Sequence, residues 1–464
     1  FVGRFSKTVV PVIFNEGLWA VGTTMYSVFY GRMGDAAVAT MGVCTTINDL
    51  VWVAIFALMN ATAIIVGKAL GAGDRERAYL YAKRMMAGAV AAGADEKAKM
   101  DEQVDRIFQQ TQTVGGAFLV AQHGEIVYER YYGVQQKTTG VPVTEKSYFR
   151  CASVTKLVTG IGLMKMMEDG LLDPDEDIST YLGYAVGNPR YTDTPVTLRH
   201  LMSHTAGLNE NASYSSKSSL LSDMIALERK ARSNFRDVRP GTEYAYSNFG
   251  AGITGAIIES VTGEDVFSYM RAYLFEPLGI DAAYTATQLE EPEYITATYH
   301  PDGSLYAAPS YMLRQEYQAQ ASPDTHYRVT VGSLLIRPRD LMRLGIALCG
   351  DGTVDGIRVL REESLARMRQ EQSPQTTGIT ADSPYSFFTI RQDTLLEGRR
   401  VYGHQGTDDG VVCNLYYEPE SELVLVVMVN GCKTTREDGI MRITRRLSAI
   451  AEEAYLGTGA AQGD

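Results

Sequence analysis

Two paired runs of alternating apolar residues, near residues 117 and 411, constrain this chain more than any other feature. Residues 117–121, a His123-Gly124 turn and residues 125–132 read as one β-hairpin. Residues 411–417, a Pro419-Glu420-Ser421 turn and residues 422–430 read as a second. Much of the chain between them carries helical periodicity, at 157–167, 198–203, 220–232, 251–261, 264–275 and 338–349. A polar helix over 95–112 precedes the first hairpin. Strands at both ends with helices between predict one antiparallel sheet closed by the two ends of the body, with a helical lobe inserted. The second hairpin would set Cys413 roughly opposite Val427, which places Cys413 and Cys432 poorly for a bond. The five cysteines form no C-x-x-C pair, so neither a disulfide framework nor a zinc site is expected.

Cys151-Ala152-Ser153-Val154-Thr155-Lys156 stands directly before the first of these helices. A helix starting near Ser153 puts Ser153 and Lys156 one turn apart on the same face. A hydroxyl is a weak nucleophile until a base takes its proton, and a desolvated lysine can be that base. The helix N-terminus also favours developing negative charge. A capping serine followed by a surface lysine spells the same four letters, so this spacing alone decides little.

Three further stretches raise its weight. Pro240-Gly-Thr-Glu-Tyr-Ala-Tyr246-Ser247-Asn248 offers a phenol, a hydroxyl and an amide within three residues before a helix. Gly403-His404-Gln405-Gly406-Thr407 leads into the last hairpin, where a glycine lets a ligand approach the backbone. His204-Thr-Ala-Gly-Leu208 closes a helix. Separately each also reads as an ordinary turn or cap.

In this order they resemble the serine β-lactamase and penicillin-binding-protein superfamily, whose signature is S-x-x-K, Y-x-N, then K-T-G or H-x-G. The closest branch holds class C β-lactamases, D-alanyl-D-alanine carboxypeptidases, D-aminopeptidases and family VIII esterases. The resemblance runs over about 101–456 and includes Leu201-Met-Ser-His-Thr-Ala-Gly-Leu208 and Gly332-Ser-Leu-Leu-Ile-Arg-Pro-Arg-Asp340. It implies a β-lactamase/transpeptidase-like α/β (α+β) fold, an antiparallel sheet flanked by helices with an inserted helical lobe. It implies an acyl-serine hydrolase of amide or ester bonds in D-peptides, esters or β-lactams, with no cofactor. Ser153 would be the nucleophile, Lys156 its proton acceptor and Tyr246 the general acid and base. The N–H groups of Ser153 and Thr407 would form the oxyanion hole; Asn248, His404 and Gly406 would bind substrate. The departure is His404 where β-lactamases keep lysine. A histidine is only partly charged at neutral pH, which shifts weight from β-lactams to D-peptides and esters. No metal site is expected: His200 and His204 are four apart, but the glutamate of H-E-x-x-H is missing.

The first 93 residues differ in kind. They carry eight Lys/Arg and five Asp/Glu, a net of +3, leaving −15 for the rest of a chain whose total is −12. That acidic body argues against a nucleic-acid partner. Residues 8–31 are apolar except Asn15 and Glu16, and 36–67 hold Asp49 as their single charge, so both runs are long enough to span a bilayer. Pro11-Val-Ile-Phe-Asn-Glu16-Gly-Leu-Trp19, Tyr30-Gly-Arg32 and Gly67-Lys-Ala-Leu-Gly71-Ala-Gly-Asp74 resemble part of a multidrug and toxin extrusion transporter. Residues 1–93 are therefore expected to be a transporter-like fragment with a two-helix membrane hairpin, 94–100 a linker, 101–457 the hydrolase domain and 458–464 a disordered tail. Residues 8–67 would make the protein membrane-associated, in a bacterium. Flanking positive charges put both ends on the cytoplasmic side, whereas most relatives of the body work outside it. The alternatives are a membrane-tethered non-catalytic sensor and an accessory domain of an efflux transporter.

Overall fold

The computed structural model describes residues 64–66, 68–70 and 75–457, except 211–218, 228–230, 316, 318–319, 373–383 and 438. It divides into two units, 1–98 and 99–464. What is described of the first is helical and includes the start of α1 (Arg75–Gln110). Residues 94–100, read above as a linker, belong to that helix. The apolar runs 8–31 and 36–67 lie almost wholly outside the described residues, as does the tail 458–464. Among the described residues no helix is long and apolar enough to cross a membrane.

In the second unit β1 (Gly115–Gln122) and β2 (Glu125–Gly133) form the first hairpin. They turn through His123 and Gly124, both at positive φ (51° and 80°). Two-residue hairpins favour that pair because its twist matches the strands. Helices α2 (Val154–Glu168), α3 (Leu198–Met202), α4 (Asn248–Thr262), α5 (Val329–Gly332) and α6 (Pro338–Cys349) follow. Then β3 (Ile390–Gln392), β4 (Val401–Asp408), β5 (Val411–Glu418) and β6 (Leu423–Val429) complete a six-stranded sheet. Its order is β3-β4-β5-β6-β1-β2, antiparallel at each pairing. The pairing of β6 with β1 closes the body's two ends on each other, as expected. Helix α7 (Arg442–Tyr455) follows.

Strand alternation divides the apolar residues between two cores. On β6, Val424, Val426 and Met428 join one core with Leu157 of α2, Ile257 of α4 and Leu344 of α6. Leu423, Leu425, Val427 and Val429 join the other, with Phe108 of α1 and Leu447 of α7. Each such side chain, fully withdrawn from water, contributes about 1.5–3 kcal/mol. This two-sided packing fixes the sheet on which α2 rests.

Three local expectations change. Residues 220–232 form two short helices, Leu221–Ile225 and Ala231–Asn234, because Ala226 turns extended and bridges Val186. The helix over 264–275 is α-helical at Val266–Met270 and widens to a π-helix at Arg271–Phe275. Cys413 faces Met428 rather than Val427, since the last turn closes on Glu418 and Leu423. Cys413 and Cys432 belong to opposite cores of the sheet.

Candidate active site

The chain enters α2 through a tight turn. Val154, Thr155 and Lys156 donate their N–H groups to the carbonyls of Cys151, Ala152 and Ser153, each three residues back. Ala152 takes φ 44°, a left-handed conformation that costs a non-glycine residue about 1–3 kcal/mol. Ser153 occupies the N-cap position, yet its side chain makes no capping bond. The hydroxyl is instead 3.0 Å from the Nζ of Lys156.

Lys156 is fully buried. Its Nζ also donates to the Val331 carbonyl of α5 at 2.7 Å and lies 5.3 Å from the centroid of the Tyr246 ring. Loss of water penalises the ammonium and lowers its pKa to about 7, with Glu210 pulling weakly the other way. Near neutrality a large share of this lysine is the free amine, which is a base.

Tyr246 and Asn248 flank the cap of α4. Ser247 accepts the Gly250 N–H at 2.8 Å and donates its hydroxyl to Glu210 at 2.8 Å. Glu210 also accepts the Phe249 N–H at 2.9 Å. Ser247 is therefore an ordinary cap, while its two neighbours line the cleft.

Strand β4 crosses the start of α2 at Gly406. A Cβ there would lie 2.4 Å from the Cys151 carbonyl oxygen and 2.8 Å from the Ser153 nitrogen. Only glycine lets strand and helix meet so closely. The bareness of Gly406 serves this backbone contact, and the next residue, Thr407, lines the cleft. Gly403, at φ 145°, is required likewise, since a Cβ would lie 2.0 Å from the Leu415 carbonyl oxygen.

His404 is not partly charged, as its type alone suggested. Its Nδ1–H donates to the Gln405 carbonyl at 2.6 Å, and its Nε2 accepts from the Tyr385 hydroxyl at 2.8 Å. Burial, then the nearby Lys156, push its pKa down to about 3. A neutral imidazole stands where a lysine would bring charge.

These groups share a cleft of about 1080 Å³, lined by Ser153, Tyr246, Asn248, His404 and Thr407. Arg150, Arg328 and Arg436 line it too, with Asp408 ion-paired to Arg150 at 2.5 Å. Sequence reasoning missed the Val331 carbonyl, Tyr385, Glu210 and the Arg150–Asp408 pair. No spacing rule announces contacts between residues 19, 37 or 175 positions apart. The two helical histidines do not act together: His200 Nδ1 accepts the Thr197 N–H in a capping box, and His204 Nδ1 accepts the Ser247 N–H.

The Beta-lactamase family model matches residues 96–450, three quarters of the chain. The chain belongs to this family. Among its relatives, Esterase EstB of Burkholderia gladioli is 30% identical over 219 residues, covering 44% of this chain and 54% of EstB. The chain thus spans about half the length of that relative. Penicillin-binding protein 4 of Amycolatopsis lactamdurans is 29% identical over 343 residues, covering 72% of this chain and 86% of that protein. Among solved structures, the octameric penicillin-binding protein homologue from Pyrococcus abyssi has TM-score 0.60 at 20% identity and covers 76% of each chain. The D-amino acid amidase from Ochrobactrum anthropi SV3 has TM-score 0.59 at 20% identity over 78% of this chain and 98% of its own. They share the family's α/β fold of antiparallel sheet and helices. A second family model, MatE, matches residues 11–94, the segment whose phrases resemble a transporter.

Proposed function

We propose that the body of this chain is a serine hydrolase that cleaves amide or ester bonds through an acyl-serine intermediate. The observation that carries this is the fully buried Lys156, its Nζ 3.0 Å from the Ser153 hydroxyl and its pKa lowered to about 7. Ser153 Oγ attacks the acyl carbon while Lys156 takes its proton. The carbonyl oxygen becomes an oxyanion, held by the N–H groups of Ser153 and Thr407. As the bond to the leaving group breaks, Tyr246 delivers a proton to the departing nitrogen or oxygen. The same phenol then helps a water attack the acyl-serine and restore Ser153. Asn248 orients the acyl side chain. His404, neutral and bonded to Tyr385, lines the pocket and offers no ion pair to a substrate carboxylate, so weight falls on D-peptides and esters over β-lactams. Gly406 brings β4 against the start of α2 and borders the bound substrate.

The reading is tested by labelling with a fluorophosphonate probe and by a burst of p-nitrophenol from an acyl ester. Wild type should label once per chain, and Ser153→Ala should abolish label and burst together. A well-folded wild type that takes no label would overturn it.

We infer further that residues 8–67 associate the protein with a bacterial membrane as a helical hairpin. Support comes from the two long runs with few charges and the MatE match over 11–94. Alkaline carbonate extraction of the full chain should leave it with the lipid pellet; complete release would sink this assignment.

A further inference from the structure

His204 sits behind Tyr246 and takes part in none of the steps above. The chain leaves α3 at this residue in a left-handed conformation, φ 56°, uncommon for a residue other than glycine. That turn aims two acceptors at one segment. The His204 carbonyl takes the Ala245 N–H at 2.8 Å, and its Nδ1 takes the Ser247 N–H at 3.1 Å. The two peptides flank Tyr246. The imidazole ring also lies 4.4 Å from the Tyr246 ring and 4.6 Å from that of Tyr385, centroid to centroid.

Because a backbone N–H can only donate, Nδ1 is the acceptor and the neutral ring carries its proton on Nε2. That atom is buried without a hydrogen-bond partner among the described residues. A phenyl ring would fill the space without burying an unpaired N–H, so the value of histidine here lies in Nδ1. Burial holds the ring neutral well below the usual imidazole range, and Lys156 and His404 push the same way. The Nδ1 bond therefore persists over the range where Lys156 titrates.

We propose that His204 is a positioning residue for Tyr246: by clamping the peptides on both sides and packing against the ring, it fixes the phenol beside Lys156. This rests on the acid–base reading of Tyr246 given above.

The test compares His204→Asn, whose side-chain oxygen reproduces the Nδ1 acceptor, with His204→Gln, whose oxygen falls near Nε2, and with His204→Leu. Rates on a p-nitrophenyl ester are counted per site titrated by fluorophosphonate, which removes unfolded protein from the comparison. His204→Asn should keep kcat within about threefold of wild type, while His204→Gln and His204→Leu lose about tenfold or more at near-constant KM. In a Tyr246→Phe background, His204→Leu should change kcat less than about twofold, since the group it positions is gone. Losses that multiply in full across the two sites would overturn the clamp and leave Tyr246 catalytic. So would a lowered Tm with kcat per site unchanged, or an equal loss in all three His204 variants. A Tyr246→Phe enzyme with wild-type kcat would remove the acid–base reading and the clamp together. If His204→Leu yields no folded protein, the Asn and Gln variants decide.

Discussion

The Nζ of Lys156 lies 3.0 Å from Ser153 Oγ, and its other bond is to a neutral backbone carbonyl, that of Val331. Among the described residues no carboxylate bonds to the ammonium, so desolvation prevails and the pKa falls to about 7. A base must be unprotonated to accept a proton, so kcat/KM should rise with pH through about 7 and plateau above it. Lys156→Arg, permanently charged, should lose about a thousandfold or more at every pH. A pH–rate profile of both proteins checks this; a wild-type profile flat from pH 5.5 to 9 would contradict it.

The same shift has a thermodynamic face. Between about pH 7 and the ordinary lysine value of 10.5 the folded chain has released this proton while the unfolded chain still holds it. The unfolded state binds more protons, so stability rises with pH across that window. Lys156→Met removes the titration. It should be inactive yet more stable than wild type at pH 6, by on the order of 3 kcal/mol, with the gain shrinking toward pH 10. Urea denaturation at pH 6 and pH 9.5 measures the difference.

His404 and His204 should occupy opposite tautomers. His404 donates from Nδ1 to a carbonyl, whereas His204 accepts at Nδ1 from an N–H. Long-range ¹⁵N correlation spectra should show Nδ1–H for the first, Nε2–H for the second, and no charging of His404 above about pH 4. The unfolded chain protonates both near 6.5, so from there down to about 3 stability should fall as pH drops.

Gly406→Ala places a methyl 2.4 Å from the Cys151 carbonyl and 2.8 Å from the Ser153 nitrogen. Both are backbone atoms, so β4 and the start of α2 must separate. The expected cost is about 1–3 kcal/mol of stability, together with a fall in kcat of at least about tenfold as the paired N–H donors move apart. Chemical denaturation and burst kinetics report the two effects independently. Unchanged burst amplitude and rate would disprove the role of this contact.

Features set by neighbours in the chain were legible from the letters alone. The turn His123-Gly124 announces its hairpin, because few residue pairs accept two positive φ values. The run 338–349 is helical end to end, with proline at its first turn and one face of apolar residues. Ser153 and Lys156 meet because three residues is one helical turn. Where a distant segment intervened, local reading failed: Val186 pulls Ala226 out of a helix that its own neighbours favour.

The sequence by itself determined the order and period of the elements and the types of group available for chemistry, since these depend on bonds and contacts within a few residues. Tertiary structure alone decided what those groups are. It drained water from Lys156, neutralised His404 between Tyr385 and Gln405, and brought Gly406 against the backbone of Cys151 and Ser153. It also set His204 around Tyr246. Protonation, hydrogen-bond direction and clearance depend on solvent and on atoms brought from far along the chain, and those are present only once the fold has closed.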